Sequence, residues 1–519
     1  MAQPWNVKKI MISKLDAANL LAGLDLGSAV AESDTLLEAA RVETSVFDDL
    51  LADRVDLIPG TKGSGKTALY RIFVDFLPKI MLANKKIIIA HGVQQRQDTV
   101  FLAYSREFDQ LNEADFVDFW CIYVVSLAYE QFIRDDRFKT LLVDCTHEIS
   151  AFQKAYRDAG IPDFDRRKTL KEILGWTLAV VSRLKPRVTW TAPQDVGQFE
   201  LSLGEVAPPR RSTRNDDDPR MPAYIDAIAA RLEALLVKAN LYLWLMVDRL
   251  DELFARRSET ETRALRGLLR TLRLFPSPRI RVKVFLRDDI LNQIVADKGF
   301  TALTHITARR SDILRWSEGQ ILAMIVRRIF ANRNFASHFE IDERLLGSSH
   351  EYQQQAFFKV FANTVYRPPN QSDTLRWIYN HTKDGRGVVT PRDVISLLTR
   401  AIQWQRDEFR RDPSGETERL ITGTAIIYGL EEMSKEKRDT YLEAEFPHKW
   451  DTIKKLLGGG TEYSDAAIRR LFGRKYQDAA EDLISMGVLE RGTKRGVHTF
   501  RVPFIYRRAL DCTQKFVAS

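Results

Sequence analysis

Eight consecutive residues, Gly60-Thr61-Lys62-Gly63-Ser64-Gly65-Lys66-Thr67, fit the pattern G-x-x-x-x-G-K-[ST] at every fixed position. Each residue type answers a chemical need. Glycines let backbone N–H groups close around a β-phosphate, and a helix that follows turns its positive end toward it. Lys66 would reach the β and γ oxygens, and Thr67 would hold Mg²⁺. The bare pattern arises by chance in roughly 2 of 100 chains of this length at average residue usage, so its flanks matter. Before it runs the apolar stretch Val55 to Pro59, and after it Leu69, Ile72, Phe73, Phe76 and Leu77 recur at helical spacing. The flanks predict strand, loop, helix.

A phosphate cradle also needs a metal-binding acid at the end of a neighbouring strand. Leu241–Val247 is seven apolar residues in a row, the mark of a strand buried on both faces of a parallel sheet, and Asp248 follows it directly. Asp248 would hold Mg²⁺ through water, and Asp251 or Glu252 would orient the attacking water.

Taken together, these residues resemble the P-loop ATPases of the AAA+/STAND assemblage. Asp248-x-x-Asp251-Glu252 is similar to the acidic motif of NACHT-type members. The resemblance spans roughly residues 45–510 and implies ATP and Mg²⁺ as cofactors, hydrolysis to ADP and phosphate, and the remaining site residues. Arg287, ending the strand Ile280–Leu286, falls where such ATPases place a γ-phosphate sensor, although an Arg–Asp pair at a strand end is also a common structural bridge. Arg392, in Thr390-Pro391-Arg392-Asp393, resembles a second sensor carried by a lid helix, or is a solvated first-turn arginine. Arg309, Arg310 and Arg315 are candidates for an arginine finger offered to a neighbouring subunit. One departure stands out: 182 positions separate Lys66 from Asp248, so a large insertion at about 90–222 must lie between the strands.

The elements that position these groups follow from periodicity and punctuation. Residues 1–45 are Ala/Leu-rich and predict helix. Residues 46–314 form an α/β core with a parallel sheet, in which Arg281 and Lys283 alternate with Ile280, Val282 and Val284 and predict one more exposed strand face. Within the insertion, Val206–Pro222 packs four prolines, four arginines and three aspartates, a composition that predicts an exposed loop. Ser317 with Gln320 makes a capping box, and Thr390 with Pro391 starts a second helix, so residues 315–410 form a helical lid. Past a charged linker, residues 417–511 carry helices at about 464–472 and 476–486 and then a β-hairpin, the order of a winged helix.

Composition bounds the class. Of 519 residues, 45% are hydrophobic and 29% charged, which excludes collagen-like and wholly disordered chains. A net charge of +8 permits an anionic partner without requiring one. Three scattered cysteines, Cys121, Cys145 and Cys512, are too few for a disulfide framework or a zinc site. Charges interrupt the N-terminal apolar stretch, and the longest apolar run, Phe119 to Tyr129, is closed by Asp118 and Glu130 short of the ~18 residues a span needs, so a cytoplasmic protein without a membrane span is expected.

Two functions from different classes follow. The first is an ATP-driven switch that forms a homo-oligomer or controls a separately encoded effector; the resemblance implies a role of the kind seen in bacterial anti-phage defence. The alternative is a DNA-binding initiator or loader, in which Arg469, Arg470, Arg474, Lys475, Arg491, Lys494 and Arg495 contact phosphates. Asp478, Glu481 and Asp482 on the second helix argue against the latter, and His498 could instead face the nucleotide.

Overall fold

The structure, a computed structural model, describes residues 11–76, 86–91, 108–109, 111–134, 136–161, 221–250, 258–272, 275, 277–296, 308–366, 372–494 and 496–517. Asp251, Glu252, Arg495 and most of the insertion lie outside the described residues; of the loop expected at Val206–Pro222 only Met221 and Pro222 are described, and they begin the helix Met221–Lys238 instead. Two compact units account for the chain: residues 45–61 with 66–314, and residues 1–44 with 62–65 and 315–519.

The first unit is α/β. Strands β1 (Leu57–Gly60), β2 (Lys86–His91), β3 (Leu241–Val247) and β4 (Ile280–Arg287) form a parallel sheet in the order β1-β4-β3-β2. Central placement explains why β3 is apolar at every position: both of its faces are covered. A further segment extends the sheet beyond β1, through parallel bridges Leu57↔Arg310 and Gly60↔Leu314. Helix α1 (Lys66–Arg71) and the π-helical turn Ile72–Phe76 follow the glycine loop and seat on the sheet through aromatic rings. Tyr70 meets Phe285 of β4 edge-on at 5.8 Å, and Phe73 meets Trp244 of β3 at 6.1 Å.

Helix α2 (Glu113–Tyr129) is apolar nearly all round because it is a core helix. By length and composition Glu113–Ile133 could cross a membrane, but 78% of its apolar 18-residue window is buried. It packs on α3 (Glu259–Thr271) so closely that Gly267 is required: a Cβ there would come 2.6 Å from the Phe116 Cβ. Trp120 seals the contact by donating its indole N–H to the Ala264 carbonyl at 2.8 Å.

Lys283 corrects the expectation of an exposed face on β4. It is fully buried, and its ammonium donates to Asp53 Oδ1 at 2.6 Å, the Val55 carbonyl at 2.7 Å and Asp56 Oδ1 at 2.8 Å. The Trp244 ring lies 4.6 Å beneath it. Arg309 binds the same two carboxylates. Burial by itself would raise the Asp56 carboxyl, but Lys283 and Arg309 together hold it below its usual range.

The second unit is mostly helical. Helices α4 (Glu318–Phe330), α5 (Pro391–Arg411) and α6 (Gly423–Lys437) share one apolar core with α7 (Asp465–Phe472) and α8 (Tyr476–Ser485). The boundary expected at 410–417 therefore separates no cores. α5 and α6 touch backbone to backbone, since a Cβ at Gly429 would sit 2.3 Å from the Leu397 carbonyl oxygen. After the two helices comes the expected hairpin, β6 (Glu490–Lys494) and β7 (Val497–Arg501), in a sheet with β5 (Gly460–Ser464) and β8 (Thr513–Val517) in the order β8-β5-β7-β6.

The N-terminal segment is less helical than its composition predicts. Among the described residues before Ser45 the only α-helix is Lys14–Ala22. The stretch beyond Gly23 is held instead by a buried bidentate ion pair, Asp34 with Arg328 of α4, at 3.1 and 2.6 Å.

Two expectations test this packing. Lys283→Ala leaves two carboxylates without their buried cation and should cost about 3–5 kcal/mol in urea unfolding. His381 stacks 3.7 Å from Trp377, and its Nδ1 bonds the Trp377 carbonyl at 2.8 Å. Burial lowers its pKa to about 4, against that bond and with help from Arg507. The folded state thus favours neutral imidazole, so stability should be complete above about pH 6.5 and fall as the pH drops toward 4. His381→Phe should flatten the stability profile over that window, read by thermal unfolding across pH.

Candidate functional site

The carboxyl ends of parallel strands are where open α/β sheets bind ligands, because helix N-termini and loops converge there. In this unit that edge carries Gly60 at the end of β1, in direct register with Arg287 at the end of β4, and Asp248 just past the end of β3. Two strand spacings put the β3 end about 10 Å from β1. Asp248 is buried, only 3% exposed, and Arg249 after it holds a left-handed φ of 60°, an unusual conformation for a non-glycine residue. Such strain is of order 1–3 kcal/mol and fixes the direction in which the chain leaves β3.

Asp248 is electrostatically close to α1. The Tyr70 phenol is pushed far up, first by burial and next by the Asp248 carboxylate. Tyr70 stands one turn along α1 from half-buried Thr67. The two expected metal-binding groups therefore belong to neighbouring elements on one edge of the sheet.

The glycine loop has the backbone its composition demands. Gly63 (φ 81°) and Gly65 (φ 98°) both lie in the left-handed region that only glycine enters cheaply. Lys66 turns back over the loop and donates to the Gly60 and Thr61 carbonyls at 2.8 and 2.9 Å. Thr61 and Ser64 are buried, and their hydroxyl oxygens have no hydrogen-bond partner among the described residues. Unsatisfied buried hydroxyls are costly, so two of them in one eight-residue loop mark a place for a polar ligand or water.

The tip of the loop, residues 62–65, is fixed by the helical unit to which it belongs. Trp316 donates its indole N–H to the Ser64 carbonyl at 2.8 Å, and its ring lies 3.6 Å from where a Cβ on Gly65 would sit. At Gly63 the corresponding neighbours are Arg392 Cβ at 3.2 Å and Thr390 Oγ1 at 3.3 Å, so a side chain there has little room. Lys62 forms an ion pair with Glu445. Arg392, at the first turn of α5, thus lies against the loop tip, and its Nε reaches the Ala29 carbonyl at 3.4 Å.

Other expected residues are placed differently from one another. Arg287 is buried and forks onto Asp289, not Asp288, at 3.1 and 2.9 Å. Arg309 is committed to Asp53 and Asp56 and is unsuited to act as a finger, whereas Arg310 and Arg315 are exposed. His498 is exposed on β7, opposite Thr493. In the hairpin region several cations are matched by acids, Arg491 with Glu481, Lys494 and Arg501 with Glu462, Arg469 with Asp465, whereas Arg470, Arg474 and Lys475 make no such pair among the described residues. Among the described residues no group of three or more His, Cys, Asp or Glu is arranged to hold a metal ion.

Sequence reasoning missed Trp316 and Glu445, and read Thr390 only as the start of a helix. They lie hundreds of positions from the loop, and only folding brings them to it. No protein-family model and no curated protein matches the chain.

Trp316→Phe keeps the ring and removes the indole donor. It should cost about 1 kcal/mol locally and speed hydrogen exchange of the amides at 63–66, measured by mass spectrometry, with global unfolding little changed.

Proposed function

We propose that the protein is a P-loop ATPase that binds Mg·ATP on residues 60–67 and acts as a nucleotide-state switch. The observation that carries this reading is the loop itself. A glycine turn joins a buried parallel strand to a helix, with Lys66 folded over it, two buried hydroxyls lacking partners, and Asp248 at the end of a strand two places away.

The division of labour follows from chemistry. Loop amides and Lys66 would hold the β- and γ-phosphates. Thr67 and Asp248 would carry Mg²⁺, Asp248 through water. Asp251 or Glu252, two or three residues beyond Arg249, would orient the attacking water. Arg287 would stabilise charge on the transferred phosphoryl group after leaving Asp289, a rearrangement that suits slow turnover.

A switch is favoured over a metabolic kinase because Gly63, Lys62 and Ser64 at the loop tip touch Arg392, Glu445 and Trp316 of the helical region. A ligand that reshapes the loop therefore acts directly on that region. A separately encoded effector or a second copy of the chain is the proposed recipient of the signal. The DNA-loading alternative loses ground, since Arg491, Lys494 and Arg501 are already engaged by acids and would have to give them up to phosphate.

Lys66→Ala should weaken binding of a fluorescent ATP analogue about 10- to 100-fold, the worth of one charge-assisted contact. Asp251→Ala with Glu252→Gln should leave binding intact and stop phosphate release. Equal affinity of Lys66→Ala and parent would refute the site.

A further inference from the structure

Lys62 is a second cation in the loop, and the proposed chemistry leaves it without a task. It is paired with Glu445, both side chains being about a quarter exposed. Glu445 lies two residues beyond a π-helical turn, Arg438–Glu443, that prolongs α6. The last residue of α6, Lys437, makes a second ion pair, to Asp393 Oδ2 at 2.6 Å, with Asp393 buried and Lys437 only slightly exposed. Asp393 in turn accepts from the Thr390 hydroxyl at 2.7 Å, and Thr390 caps α5 beside Gly63. The C-terminal end of one helix thus meets the loop tip twice, directly through Glu445 and indirectly through Lys437, Asp393 and Thr390.

We propose that Glu445 is an autoinhibitory gate on the glycine loop, holding Lys62 in an ion pair that nucleotide phosphate must replace. This rests on the assignment of residues 60–67 as a nucleotide phosphate site. The physical case is competition between anions. A polyphosphate entering the loop meets a carboxylate already on one of its two lysines, and the two negative groups repel. Phosphate carries the greater charge and displaces Glu445, and the Lys437–Asp393 pair, more deeply buried, keeps the end of α6 anchored while the segment after it moves. Loading of the loop is thereby read out at residues 438–446, which lead into the C-terminal sheet. Glu445 is a positioning residue, acting on nucleotide only through Lys62.

The test uses the full chain, with Glu445→Gln, Lys62→Gln and the double variant. Glu445→Gln should speed hydrogen exchange of the amides at 61–65 in the nucleotide-free protein. It should also bind fluorescent ATP three- to tenfold more tightly, with a steeper salt dependence, because Lys62 then meets phosphate without giving up a protein carboxylate. In the Lys62→Gln background the Glu445 substitution should have no further effect on either readout. Unchanged exchange and unchanged or weaker affinity in Glu445→Gln, with the parent binding nucleotide, would overturn the gate and leave the site assignment standing. Failure of the parent and every variant to bind nucleotide would overturn both. Tighter binding that persists undiminished in the Lys62→Gln background would also overturn it, showing a general charge effect instead of a gate.

Discussion

The α/β unit depends on one buried ammonium. Lys283 has no exposure, so its charge must be answered within the protein, and Asp53, Asp56 and the Val55 carbonyl answer it. All three lie on the approach to β1. Arg309, which introduces the segment paired on the far side of β1, binds the same carboxylates. One network therefore ties β4, β1 and the added segment together at the amino ends of the strands, and the register Gly60↔Arg287 at their carboxyl ends follows from it. Asp53 adopts a left-handed φ of 57° to take part, a cost the network offsets.

With the amino ends pinned, the carboxyl edge can hold unusual backbone. Gly63 and Gly65 take positive φ values there, and so does Arg249 after Asp248. The loop is not left to hold its own shape. Lys66 bonds its carbonyls from within, while Trp316 and the Lys62–Glu445 pair hold its tip. On the proposed reading, phosphate binding to a loop braced in this way would be an exchange of partners instead of a simple addition, and an exchange alters the groups released as well as those taken up.

The same economy governs the C-terminal region. Its positive side chains give the sequence a nucleic-acid appearance, yet in the folded chain Glu462 serves both Lys494 and Arg501, and the acids of α8 serve Arg491 and Lys449. Exposed pairs of this kind are individually weak, about 0–1 kcal/mol, but each one offsets a positive charge that the sequence alone presents as free.

Local pattern by itself determined much of this protein. The span of β3, the loop between β1 and α1, the capping boxes at Ser317 and the Thr390 cap, and the order of two helices and a hairpin near the C-terminus all follow from short-range rules, since periodicity and capping act over a few residues. Only tertiary structure decided that Lys283 is interior, because alternation predicts an exposed face unless distant acceptors, here more than 200 positions away, satisfy the charge. It alone made residues 315–519 share one core with the N-terminal segment, through Arg328 on Asp34, and brought α5 and α6 into backbone contact at Gly429. It also chose the partners of the loop tip. A glycine loop announces itself through residue types that its backbone cannot do without, whereas Trp316, Arg392 and Glu445 act through position, which spacing along the chain does not encode.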